Sequence, residues 1–325
     1  MARRALSQTC LGLVRLAEQA VSSAVAESGV RRCRIGLSGG ADSLALAAAM
    51  AWARDHRRGP LAGVDMAARV IDHGLQPGSA GVAEAAAAQG RALGLDTEVV
   101  RVEVAAGGQG VEAAARSARY AALERPPEAL VVLAHTLDDQ AETVLLGLAR
   151  GSGTRSLAGM PARRGLIVRP FLGVRRADTE RACLDWGLTW WNDPTNEDEA
   201  YARSRLRAGM RELDRLLGPG LAEALARTAD LCRQDADHLD ALAEATGPEV
   251  RSDALPVDAL AGLPPAIRHR ILLAWLREPG GDAVTRDHVL AVDALITNWH
   301  GQAAIQIPGA GIRRQAGVLT RDTPY

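Results

Sequence analysis

The chain has 325 residues, 47% hydrophobic and 24% charged, the balance of a soluble globular protein long enough for two domains. Its 38 basic residues nearly cancel 39 acidic ones, so partners must be read from how charge is distributed rather than from its sum. Every basic residue is arginine, no apolar run is long enough to span a bilayer, and the four cysteines (Cys10, Cys33, Cys183, Cys232) show no metal-ligand spacing. Dispersed thiols of this kind fit a cytosolic compartment.

Residues 5–29 read as an amphipathic helix with Leu11, Val14, Leu16 and Val21 on one face. Arg15 and Glu18 interrupt its apolar run, which argues for an amphipathic helix over an export signal. Arg34 to Leu46, RIGLSGGADSLAL, then reads as a short buried strand, a glycine turn and a helix. That arrangement makes an anion cradle, because glycines let the backbone approach a ligand and the first helical N–H groups point at it. A Walker A loop is excluded, since it needs a lysine and the chain has none.

A second strand, Ala67 to Ile71, ends in Asp72-His73-Gly74-Leu75, and an alanine-rich helix runs to about Leu93. A third strand, Thr97 to Val104, is broken by Gly107–Gly110 and followed by a helix over Val111–Leu123. The continuous apolar run Ala129–Ala134 suits a parallel strand covered on both faces, and Leu137–Leu148 is the next helix. Strands alternating with helices predict an α/β fold with a doubly wound parallel sheet. Ligands of such sheets bind beyond the carboxyl ends of the strands, and the polar clusters at 38–43, 72–73 and 135–142 all fall there. An Asp at position 72 can hold a metal or a ribose hydroxyl, and His73 a phosphate. Asp139 and Glu142, three apart on one helix face, suit a cation or an ammonium group, although acids in a first turn also serve as caps.

Ser38-Gly39-Gly40-Ala41-Asp42-Ser43 resembles the PP-loop of the N-type ATP pyrophosphatases. The resemblance implies that these six residues bind ATP and that Asp42 helps to place Mg²⁺. Together with Asp72-His-Gly-Leu75, His135-Thr-Leu-Asp-Asp-Gln-Ala-Glu-Thr143, Arg150-Gly-Ser-Gly153, Leu157-Ala-Gly-Met160, Arg169-Pro-Phe-Leu172, Asp193-Pro-Thr-Asn196 and Arg203-Ser-Arg-Leu-Arg207, the loop resembles the motif series of the tRNA(Ile)-lysidine synthase family. The resemblance covers about residues 34–210. It implies adenylation of C2 of the wobble cytidine in a tRNA(Ile) with anticodon CAU. Attack by the ε-amine of free lysine follows, with release of AMP and pyrophosphate.

On that resemblance Asp42, Arg116, Asp139 and Glu142 are catalytic. Asp72, His73 and His135 join the PP-loop in binding ATP, and Asp139 and Glu142 hold the lysine. Arg116 sits at the reacting centre with Arg119 as its support, and Gly151-Ser-Gly153 forms a cover whose alternative is a plain helix cap. Arg203, Arg205 and Arg207 contact tRNA, in a stretch (Arg150–Arg215) with thirteen arginines against nine carboxylates. Gln76, Ser156 and Ser204 depart from the family pattern, the first replacing an arginine. Trp186, Trp190 and Trp191 are read as core rather than base-stacking residues.

The chain divides into a PP-loop catalytic domain (1–217), a helical connector (218–248) and a small α+β tRNA-binding domain (249–325). The last should hold two helices and three short strands. The resemblance also implies a homodimer. Two other readings compete: another PP-loop ATPase, such as a tRNA thiolase, and a non-catalytic RNA-binding protein on the same scaffold.

Overall fold

The computed structural model describes residues 6–55, 61–74, 76, 78–103, 111–125, 128–193, 202–248, 250 and 253–322. The Gly107–Gly110 breaker, Leu75 and the Pro194–Asn196 part of one motif lie outside them. The described chain forms two compact units, Met1–Asp230 and Leu231–Tyr325. Among the described residues no helix is long and apolar enough to cross a membrane.

The first unit is built on α1 (Gln8–Ser28), β1 (Arg32–Gly36), α2 (Ala41–Asp55), β2 (Asp65–Asp72), α3 (Ser79–Ala92) and β3 (Asp96–Arg101). There follow α4 (Val111–Leu123), β4 (Leu130–Val132), α5 (Leu137–Ala149), α6 (Thr154–Leu157), β5 (Arg163–Arg164) and β6 (Ile167–Val168). Helices α7 (Arg176–Trp186), α8 (Ala202–Leu217) and α9 (Leu221–Thr246) come next, and the division between the units falls within α9. The sheet runs β3-β2-β1-β4-β6-β5, parallel throughout except for the β5–β6 hairpin at one edge. The chain winds outward from β1 in one direction and then returns to β4 on its other side. The β1–β4 junction is therefore the topological switch point, where such sheets open a crevice.

Apolar periodicity accounts for the packing. Helix α1 starts on the Ser7 cap, ends at left-handed Gly29, and buries Cys10, Leu13, Val14, Ala17, Val21 and Ala24. This stripe corrects the expected face at Leu16, which is 41% exposed. Helix α2 buries nearly every side chain from Leu44 to Met50, because it is packed by both α1 and α7. Trp186 and Trp190 pack against this core as expected. Gly151 (φ 64°) closes α5: its N–H reaches Leu148 O and that of Ser152 reaches Gly147 O, the paired bonds of a Schellman cap.

The second unit holds β7 (Ala254–Pro256), α10 (Asp258–Ala261), α11 (Pro265–Gly280), α12 (Arg286–Thr297), β8 (Ile305–Ile307), β9 (Ala310–Gln315) and β10 (Val318–Asp322). Its antiparallel sheet runs β7-β10-β9-β8. The two helices and three C-terminal strands match the sequence reading, whereas β7 was not anticipated. Trp275, Leu272, Leu276, Leu255, Ile312 and Leu319 are fully buried in its core. Inside it Arg268 holds Asp293 through Nε at 2.5 Å and Nη2 at 3.2 Å.

Candidate active site

The loop leaving β1 is held in shape by its own side chains. The Ser38 N–H and hydroxyl both reach Ser43 Oγ at 3.1 Å, the Ser43 hydroxyl donates to Gly40 O at 2.9 Å, and Gly40 N–H donates to Ser38 Oγ at 3.4 Å. Gly39 has φ 84°, a conformation that favours glycine, and a Cβ there would lie a tight 3.1 Å from Ala86 Cβ. The first turn of α2 follows at once and carries Asp42.

Asp42 is the first of three carboxylates gathered by one guanidinium. Arg176, the first residue of α7, reaches Asp42 Oδ2 through Nε at 3.3 Å, Asp139 Oδ1 through Nη2 at 2.9 Å and Glu142 Oε1 through Nη1 at 3.9 Å. Its backbone N–H donates to Asp138 Oδ2 at 2.8 Å. The Thr179 hydroxyl, one turn on, lies against Asp42 Oδ1. A second arginine, Arg207 of α8, approaches the same acids, with Nε 3.0 Å from Glu142 Oε1 and Nη2 3.7 Å from Asp139 Oδ1.

Asp139 also starts its helix. The Thr136 N–H donates to Asp139 Oδ2 at 2.8 Å and the Asp139 N–H returns to Thr136 Oγ1 at 3.4 Å, a capping box. Cap and charge cluster are thus one carboxylate.

The three acids are tuned differently. Burial pushes Asp42 up to about 6, against the pull of Arg176 and Thr179. Burial likewise raises Glu142, which is 3% exposed, although Arg207 opposes it. Burial acts upward on Asp139 too, but Arg176, the Thr136 N–H, His135 and Arg207 together hold it below the usual carboxylate range. Asp139 is therefore the firm anion and Glu142 the better proton acceptor.

Beside the acids lies a basic cluster. Arg116 sits over the Tyr120 ring at 5.1 Å with Nη2 3.3 Å from its hydroxyl, and Arg119 flanks the same ring at 5.9 Å. Burial chiefly, then Arg116, lowers Arg119, and Arg203 is close enough to contribute. His135 is brought down to about 3 by burial and His73 is lowered by the same cause, so both rings are neutral at pH 7. The Nδ1 atoms of both, and Nε of 6%-exposed Arg169, are buried without a hydrogen-bond partner. Unpartnered polar atoms among arginines are what a bound anion would satisfy.

Asp72, 5% exposed, accepts from Gly74 N–H at 3.0 Å, and this bond chiefly lowers its pKa. Its described contacts are those of a turn. Gln76, at the position of the family's arginine, donates to Asp193 Oδ1 at 3.2 Å. Arg205 is exposed, whereas Arg203 and Arg207 are half-buried beside the cluster.

The structure thus joins Asp42, Asp139, Glu142 and Arg207, and it sets His73, His135, Arg116 and Arg203 around Arg119. Sequence reasoning missed Arg176 and Thr179. The signal available was an Arg-Arg pair at a helix start with no acid in the preceding turn.

A model described as a PP-loop domain matches residues 14–213, and one described as the TilS substrate binding domain matches residues 255–320. A protein of Leifsonia xyli subsp. xyli (strain CTCB07) named tRNA(Ile)-lysidine synthase is 52% identical over 300 residues, covering 88% of each chain. The chain belongs to the tRNA(Ile)-lysidine synthase family. Another relative of that name, from Mycolicibacterium paratuberculosis (strain ATCC BAA-968 / K-10), is 48% identical over 319 residues, 95% of this chain and 96% of the other. Among solved structures, the U34-tRNA thiolase NcsA from Methanococcus maripaludis superposes with a TM-score of 0.55 at 16% identity, over 69% of this chain and 80% of that one. That likeness is one of fold. As a PP-loop family member the chain uses ATP.

Proposed function

We propose that the chain is an ATP-dependent, C–N bond-forming ligase that converts the wobble cytidine of tRNA(Ile) with anticodon CAU into lysidine. ATP adenylates C2 of the flipped cytosine and releases pyrophosphate. The ε-amine of free L-lysine then displaces AMP. The base thereafter pairs with A instead of G, and charging passes from methionine to isoleucine. One observation carries the reading: the PP-loop carboxylate Asp42 and the acid pair Asp139–Glu142 meet at a single guanidinium.

The PP-loop residues Ser38–Ser43 receive the pyrophosphate end of ATP, with N–H donors placed where charge develops. Asp72, His73 and His135 complete the nucleotide site. Arg116, supported by Arg119, faces the phosphoryl charge, and neutral His73 and His135 can donate to it without adding protons. Asp139, held ionised, pairs with the lysine ammonium, and Glu142 takes the proton that the amine must lose.

Among the described residues no three His, Cys, Asp or Glu side chains form a metal cluster on their own. A Mg²⁺ carried in on a triphosphate needs one or two carboxylates, which Asp42 fits. There it would neutralise phosphate charge. Arg203 and Arg205, with the second unit, face tRNA. The protein works in the cytoplasm, and a homodimer remains part of the reading.

A thiolase reading draws no support from two of the four thiols. Cys33 and Cys183 are buried and pushed up to about 12, so they stay protonated and are poor nucleophiles.

The deciding experiment measures AMP and pyrophosphate release from ATP with CAU-bearing tRNA(Ile), with and without lysine, together with the mass of the wobble nucleoside. Release that requires both substrates, with lysine added to cytidine, is expected. Turnover without lysine would refute the amine assignment.

A further inference from the structure

We propose that Arg176 is a positioning residue that yokes the phosphate-side carboxylate Asp42 to the amine-side pair Asp139 and Glu142. The state of one half of the site then sets lysine affinity in the other. The inference rests on the function proposed above and deepens it.

Three observations lead to it. The acids come from separate helices, Asp42 from α2 and Asp139 and Glu142 from α5, and Arg176 enters from a third, α7. Its guanidinium reaches all three, at 3.3, 2.9 and 3.9 Å. Lysine, a single point charge, could not match that planar fork. Arg176 is also fixed at its base, by the backbone bond to Asp138 and by Thr179, whose hydroxyl touches both Asp42 and the Arg176 carbonyl.

The energetic consequence follows from sharing. While Asp42 is anionic, part of the guanidinium's charge is committed to it. When the Asp42 carboxylate is replaced by an amide, Arg176 is released toward Asp139 and Glu142 and competes there with an incoming ammonium. Arg207 lies on the same two acids but on another helix, with shortest approaches of 3.0 Å to Glu142 and 3.7 Å to Asp139, so the carboxylate pair keeps a cation when Arg176 is altered. Arg176 touches no reacting atom in this scheme. It sets where the carboxylates point and how much negative charge they offer.

The test is a double-mutant cycle read by binding rather than turnover. Radiolabelled L-lysine is dialysed to equilibrium against the nucleotide-free full-length protein, its Asp42→Asn variant, its Arg176→Gln variant and the double variant. Asp42→Asn should weaken lysine binding at least fivefold in the parent and less than twofold in the Arg176→Gln background. Should Arg176→Gln fail to fold, Arg176→Lys serves in the same cycle, since it keeps a charge without the fork. It should abolish the coupling equally. An equal effect of Asp42→Asn in both backgrounds overturns the inference and leaves the functional reading standing. A parent that binds no lysine overturns the functional reading and the inference with it.

Discussion

Asp42 sets stability against chemistry. Its folded pKa of about 6 exceeds the value of about 3.9 expected of an unfolded chain. For an acid raised in this way, stability is complete below about pH 3.9 and declines as pH rises through about 6. Asp42→Asn should therefore raise the melting temperature of the ligand-free protein by about 2–4 °C at pH 7. Lysidine formation should fall by at least about 100-fold. A lower melting temperature at pH 7 would refute the charge-burial account. Asp139 and Glu142 should separate in the opposite sense. Asp139→Ala removes a cap and should lower unfolding free energy by about 1 kcal/mol, while Glu142→Gln, which relieves a carboxylate that burial has raised, should lower it less. Both should raise the KM for lysine, and urea unfolding beside steady-state kinetics separates the two effects. The Asp and Glu themselves were legible in the sequence because they share one helix face. Arg176 was not, because its partners lie 134 and 37 positions away and only the folded sheet brings them together.

Among the elements, the strands and helices of the first unit could be read from alternating apolar runs and glycine breaks. The face of α1 was read only in part: Val14 and Val21 are buried as expected, whereas Leu16 lies off a stripe completed by Cys10, Leu13, Ala17, Ala24 and Val25. Strand β7 escaped notice because three residues carry no period, and their pairing with β10 supplies the strand. Helix α8 illustrates what periodicity leaves open. Arg203, Arg205 and Arg207 read as one basic run, yet Arg207 turns to Glu142 and Arg205 stays exposed. Reversing Arg203 and Arg205 to Glu should weaken tRNA binding and reduce the slope of log affinity against log salt by about 2. Filter binding across a salt series measures this, and an unchanged slope would remove both residues from the RNA contact.

For the whole molecule, two hydrophobic cores predict two responses to acid. In the second unit burial pulls Asp293 upward, but Arg268 and His269 outweigh it and hold the carboxyl below its usual range. The sign is that of a depressed acid: stability is complete above about pH 3.9 and lost as pH falls through the lower folded value. Asp293→Ala strands Arg268, 6% exposed, and should cost about 3–5 kcal/mol. Calorimetry of the full chain should show that loss as a lower-temperature transition of the second unit, with the first unit's transition unmoved. A variant as stable as the parent would show that the pair is dispensable.

The capping box at the start of α5 also bears on how the site can change over generations. A side chain that both begins a helix and, on the proposed function, holds an ammonium leaves little freedom for variation, since most replacements at 139 are filtered for folding before they are filtered for chemistry. Position 142, one turn inside the helix, carries no such duty. Selection for a shorter or longer diamine should therefore enrich replacements at 142 and on α8 around 207, with Asp139 retained in the survivors.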